Sequence, residues 1–346
     1  MRGLKIILVA ALLAAISCCV IGCGGSTNFT SAKVYYYKNA DYARAEAFAK
    51  KAVMDEPDNW EAHLILAMSL AMQEKYAEAE KAFADAQATA PEDRKEDVYN
   101  NQHAFFVDNY NKGITENATM NYEGAVAYFE NAVAVEPGYA KGHINLGVAY
   151  SMLKQEDKAL GAFKRSVEVD PQSVDAWRNL GITYQSRREY DLAGEAFAKV
   201  VELDPDDTDG LFSLGDMYFN QKEFEKALTY YNKAAETRTD DAALHYQIGA
   251  SYFSLENFAD AAQGFQKAAG LSQQDNPELY RDAMYNLGVS YIKIEQYEDA
   301  VSIFERVLEI EETAELHEML GATYGKMGRS TEAMAEFERA KELSGE

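Results

Sequence analysis

Among the 346 residues, the groups able to do chemistry are five histidines, three cysteines and one dense acidic run. Two histidines four apart on one helix would offer a metal two imidazoles. No such pair occurs: His63, His143, His245 and His317 are far apart, and His103 stands alone. The run Asp204-Pro205-Asp206-Asp207-Thr208-Asp209-Gly210 looks like a calcium loop. Its register fails: with Gly210 at loop position 6, position 1 is Pro205 and position 12 is Asp216 instead of glutamate. An acidic turn between two helices is the simpler reading. Neither Gly-x-Ser-x-Gly nor a phosphate-binding Walker loop occurs. No catalytic residue, metal site or dissociable cofactor is expected.

The cysteines are Cys18, Cys19 and Cys23, all at the start of the chain. Arg2 and Lys5 precede an apolar stretch from Ile6 to Ile21 broken only by Ser17. That stretch is short of the ~20 residues a helix needs to span a bilayer, and suits a signal peptide. Val20-Ile21-Gly22-Cys23 resembles the lipobox of bacterial lipoproteins. The resemblance implies that residues 1–22 are removed and that Cys23 carries a covalent lipid, with 23–25 as its tether. An ordinary secretory signal or an uncleaved anchor are the other readings of the same stretch. Gly24, where an aspartate would retain a lipoprotein in the inner membrane, implies the outer membrane of a diderm cell, facing the periplasm. With Cys23 lipidated, the mature domain has no thiol for a disulfide or a metal.

The chain carries 57 acidic against 33 basic residues, a charge of −24. Loss of Arg2 and Lys5 with the signal leaves 31 basic residues and a charge of −26. Such a surface repels phosphate, which excludes nucleic acid as a partner and favours basic polypeptides. With 47% apolar and 26% charged residues, the chain is not of disordered composition.

The elements that must position any site appear first in the prolines. Of six, Pro57, Pro91, Pro137, Pro171 and Pro205 follow a 34-residue step once one 12-residue insertion is allowed. Units then start at 26, 60, 106, 140, 174, 208, 242, 281 and 314. Position 20 is alanine in every unit, from Ala45 to Ala333. Position 8 is glycine in seven, from Gly113 to Gly321, and position 24 is aromatic in eight, from Phe83 to Phe337. In the unit at 26, Lys33 and Ala49 replace those two residues. The unit at 174 reads Trp177-x2-Leu180-Gly181-x2-Tyr184, then Ala193-x3-Phe197, then Pro205. This resembles the tetratricopeptide repeat family. The resemblance implies an all-α fold, a right-handed α-solenoid of about nine stacked helix-turn-helix repeats after the lipoprotein signal. Small residues at 8 and 20 would let the two helices of a unit approach, and proline at 32 would close it. The four separated histidines fall in the Trp177 column, position 4, and are expected to pack on helix faces.

Residues 94–105 would either lengthen the first helix of the unit at 106 or form a short helix of their own. They would separate a membrane-proximal pair of repeats (26–93) from seven distal ones (106–346). The five extra residues at 276–280 read as an early helix start, with Asn276 as cap and Pro277 in the first turn.

In the resembled family the first helices line a concave surface that holds peptides or partner helices. Position 6 of that surface reads Asn111, Asn145, Asn179, Ser213, Gln247 and Asn286. It resembles the asparagine ladder of the repeat domain in O-linked N-acetylglucosamine transferases, in which amides pair with a peptide backbone. Position 5 adds Tyr110, Phe212, Tyr246 and Tyr285. Residues matching the carboxylate clamp of chaperone-binding members are absent: Arg178 and Lys141 stand isolated. The expectation is a non-enzymatic, membrane-anchored scaffold of the bacterial envelope, binding envelope proteins with basic or extended segments. The rivals are a glycan binder or accessory subunit of a cell-wall enzyme complex, and a spacer that self-associates through its last repeat.

Overall fold

The computed structural model describes residues 26–345. The signal segment and Cys23 lie outside them. The described residues form helices and no strand, in two compact units divided after Val169. The first unit holds α1 (Thr27–Lys33), continued by a π-helical turn (Val34–Lys38), α2 (Tyr42–Asp55), α3 (Trp60–Ala71), α4 (Tyr76–Thr89), α5 (Lys95–Ala118), α6 (Tyr122–Val135), α7 (Ala140–Met152) and α8 (Glu156–Val169). The second holds α9 (Val174–Ser186), α10 (Tyr190–Leu203), α11 (Thr208–Asn220), α12 (Phe224–Ala235), α13 (Ala242–Ser254), α14 (Phe258–Ser272), α15 (Pro277–Lys293), α16 (Tyr297–Leu308), α17 (Ala314–Lys326) and α18 (Ser330–Ser344). Within each unit every helix packs on the one before and the one after it, as in an α-solenoid.

The position-20 alanines are buried in all nine repeats. At position 8 the fit is tighter still. A Cβ added to Gly113, Gly147, Gly181, Gly215, Gly249, Gly288 or Gly321 would lie 2.5 to 2.9 Å from a ring carbon at position 24 of the same repeat. The flat ring therefore lies where a side chain would otherwise stand. In the first repeat the two roles are exchanged: Lys33 stands at position 8 and Ala49, fully buried, at position 24. Lys33 passes over the Phe29 ring, with Nζ 4.3 Å from its centroid, and pairs with Glu61 at 2.7 Å.

The turn inside each repeat is built on one left-handed residue at position 15. It is Ala40, Glu74, Met120, Lys154, Arg188, Lys222, Glu256 and Glu295 in turn, with φ between 50° and 63°, and Gly328 only in the last repeat. From the second repeat on, the next N–H donates to the carbonyl at position 11 at 2.9–3.0 Å, for example Glu189 to Tyr184. This is a Schellman closure made without glycine in all but one repeat, so each side chain carries the left-handed penalty.

The insertion lengthens a helix. Residues from Lys95 onward join the first helix of the repeat at 106 to form α5, because neither proline nor glycine interrupts them before Gly113. Gln102 holds α5 to the end of α6 by donating to the Val135 carbonyl at 2.6 Å. α15 starts at Pro277, and the Asn276 side chain accepts from Leu279 N at 3.1 Å, as its sequence suggests.

The glycine–ring contact makes a direct prediction. Gly181→Ala should lower stability by ~1–3 kcal/mol, because the new methyl meets the Phe197 ring. Phe197→Leu in that background should recover some of the loss. A double-mutant cycle from urea melts with no coupling between the two changes would refute the contact.

Candidate functional site

The histidine column does not form a site; it braces turns. Nε2 of His63 and of His143 lies 2.8 Å from the carbonyl oxygen six residues earlier, on Pro57 and Pro137. Trp177 makes the same bond from Nε1 to Pro171 at 2.9 Å, and His245 reaches Thr239 at 3.1 Å. A carbonyl only accepts, so Nε2 carries the proton in each histidine. Burial pushes the His143 and His245 pKa below the ordinary histidine value, partly offset by these carbonyl bonds. His317 differs: Nδ1 faces Glu336, and Nε2 lies 3.2 Å from Glu312. His103 pairs with Glu136 at 2.8 Å.

The acidic run at 204–210 is a capped turn. Asp207 accepts from Gly210 N at 2.6 Å and pairs with Arg178, while Asp209 pairs with Arg238. Arg178, isolated in the sequence, is thereby tied to the next repeat. Among the described residues no group of three or more His, Cys, Asp or Glu side chains is placed to hold a metal.

The amide column is placed by a stack of three contacts. The ring at position 24 rests on glycine 8, and the ring at position 5 rests on ring 24. Tyr110 lies 5.8 Å from Phe129, Phe212 5.7 Å from Tyr231, Tyr246 5.4 Å from Phe265, and Tyr285 6.0 Å from Phe304, between centroids. Each position-5 ring is half-buried.

Two of these tyrosines then catch an amide of the following repeat. In the first unit Asn145 Nδ2 donates to the Tyr110 hydroxyl at 2.6 Å. In the second, Asn286 Nδ2 donates to the Tyr246 hydroxyl at 2.9 Å and to the Asp282 carbonyl at 3.0 Å. The two pairs are equivalent: position 5 of one repeat with position 6 of the next. Where either partner is missing, the bond changes. Phe212 has no hydroxyl to offer Gln247. Tyr285 faces Met319 at the next position 6 and donates instead to Glu315 at 2.8 Å. Asn179 donates to the Asp175 carbonyl of its own helix at 2.8 Å, Ser213 is half-buried, and Asn111 is exposed. The column is therefore a mixture of clasped and free polar groups. A tyrosine at position 5 followed by asparagine at position 6 of the next unit is the signal that would have found the clasps.

The clasp at Asn286 borders a cavity of about 380 Å³ in the second unit, lined chiefly by Tyr246, Arg281, Asp282, Tyr285 and Glu315. It offers ring edges, an amide oxygen and carboxylates.

Models of the tetratricopeptide repeat match residues 34–94, 119–181, 156–208, 178–243, 240–312 and 314–346. Among solved structures, YrrB, described as a TPR protein with an unusual peptide-binding site, is 24% identical. The alignment covers 56% of this chain and 96% of that one, with a TM-score of 0.50. MamA is 20% identical over 50% of this chain and 94% of that one, at 0.46. MamA 41-end from Desulfovibrio magneticus RS-1 is 22% identical over the same shares, at 0.46. No curated protein matches.

The histidine braces predict a pH response. The lowered values of His143 and His245 mean that the unfolded chain binds protons before the folded one does. Their contribution is complete above about pH 6.5, the unperturbed value, and is lost as pH falls below it. His143→Gln with His245→Gln should therefore show a smaller fall in Tm between pH 7.5 and pH 5 than the parent. An equal fall would remove both histidines from the account.

Proposed function

The chain belongs to the tetratricopeptide repeat family and is a protein–protein interaction scaffold; on that premise we propose that it serves the bacterial cell envelope, held to the membrane by a lipid on Cys23. It binds extended polypeptide segments along the first helices of its repeats and catalyses no reaction. The observation that carries the binding mode is the recurrent clasp, Tyr110 with Asn145 and Tyr246 with Asn286. Each clasp commits the amide nitrogen and leaves the amide oxygen to accept a backbone N–H, which suits recognition of a main chain more than of particular side chains. The lipobox at 20–23 supports the address, and the absence of Asp at position 24 supports the outer membrane facing the periplasm. The acid excess supports basic segments among the partners.

A glycan-binding role has one observation in its favour. Tyr99, His103, Phe106 and Tyr110 stack along α5 with centroids 5.4–5.6 Å apart, and Tyr99 at the outer end is 45% exposed. A ring so placed could stack on a sugar face. Retention on isolated peptidoglycan, and its loss in Tyr99→Ala, would favour this reading over the first.

Two outcomes are expected. Asn145→Ala, Asn179→Ala and Asn286→Ala together should reduce partners crosslinked in native membranes while leaving the melting curve in place. Undiminished crosslinking would sink the amide reading. Cys23→Ala should abolish incorporation of labelled fatty acid and release the protein from the membrane fraction; retained label would disprove the anchor.

A further inference from the structure

The cavity at Asn286 has a chemical bias that a backbone-reading surface does not need. It is an open pocket bordered by α13, α15, α16 and α17, and its walls are of two kinds. Tyr246, Tyr285, Val307 and Leu316 are apolar or aromatic, with the two tyrosine rings fixed on Phe265 and Phe304. Asp282, Glu311 and Glu315 are acidic, and Arg281 is the one cation among the lining residues. Arg281 is already engaged, at 2.8 Å from Asp282 and 2.7 Å from Glu311. Glu315 accepts the Tyr285 hydroxyl and meets no cation among the described residues. The lining thus holds one more carboxylate than its internal pairing with a single arginine can use.

We propose that this cavity takes the side chain of a lysine or arginine from the bound segment. The inference rests on the groove reading above and names the chemistry that the groove selects. The aliphatic stem would lie against the half-buried Tyr246 and Tyr285 rings, which cover the buried Val307 and Leu316, and the cationic head would reach Glu315. The Asn286 oxygen beside it would accept an N–H of the same segment, which places main chain and side chain at once. A neutral side chain would leave the charge of Glu315 unmatched by any cation, and an acidic one would be repelled by the three carboxylates. Burial, then the bond and charge of Glu315, push the Tyr285 hydroxyl up to about 12, so it stays a neutral donor to that carboxylate.

Selection of a random nine-residue peptide library on the full chain tests this. The parent should enrich peptides that carry Lys or Arg at a fixed place. Glu315→Gln, which keeps an acceptor for Tyr285, should cut that enrichment about three- to tenfold. Glu338→Gln, an exposed change of equal charge on α18, should leave it unaltered. Asn286→Ala should lower recovery of all peptides alike. Equal basic enrichment by the parent and Glu315→Gln would overturn the basic-residue assignment. So would peptides selected without basic preference, and in that case the groove reading would survive. No peptide recovered above bare matrix would overturn both.

Discussion

The seating of an aromatic ring directly on a backbone is the constraint from which the rest of this molecule follows. With no Cβ at position 8, the position-24 ring of the same repeat closes to within a distance that any side chain would forbid. That closeness fixes the spacing of the two helices and brings alanine 20 under cover. It also provides the floor on which the position-5 ring rests. The candidate site is therefore an outer layer of the core: glycine, ring, ring, then amide. The first repeat departs from this arrangement. There Lys33 reaches over Phe29 to Glu61 while Ala49 is fully buried, so no ring sits on a glycine.

The same layering explains where the polar chemistry of the chain has gone. Three position-4 side chains, His63, His143 and His245, and Trp177 in the same column each hold a carbonyl of the preceding turn, six residues back. This satisfies a backbone acceptor where the chain reverses between repeats. The aspartates at 204–209 cap a helix and bind arginines. These residues commit their hydrogen-bonding capacity to architecture. In the position-6 column Asn111 is exposed and Ser213 half-buried, while Glu315 pairs with no cation among the described residues. On the proposed reading, the acid excess would supply long-range attraction for basic segments and the cavity the short-range choice.

The repeat architecture was legible in the sequence because it is periodic and local. Glycine at 8, alanine at 20 and an aromatic at 24 recur at fixed spacing, and each reports a contact within one hairpin. The early start of α15 was readable for the same reason, since Asn276 and Pro277 act within one turn. Legible too was the packing role of the histidines, from their column alone, though not the carbonyl that each one holds. The left-handed residue at position 15 was not visible. Glutamate, lysine, arginine and methionine stand there in place of the glycine that would have announced it.

The sequence by itself determined the fold, the register of every repeat and the columns from which a site could be drawn. Those depend on which side chain a helix presents every third or fourth residue. Tertiary structure decided which amides are clasped, which are free, and where a cavity opens. Tyr110 meets Asn145 across 35 residues and Tyr246 meets Asn286 across 40. Tyr285 donates to Glu315, and position 6 of that repeat is Met319, which has no amide. Such choices depend on the stacking of one repeat upon the next. Hydrogen bonds require matched positions to within a few tenths of an ångström, and no pattern in one repeat carries that information.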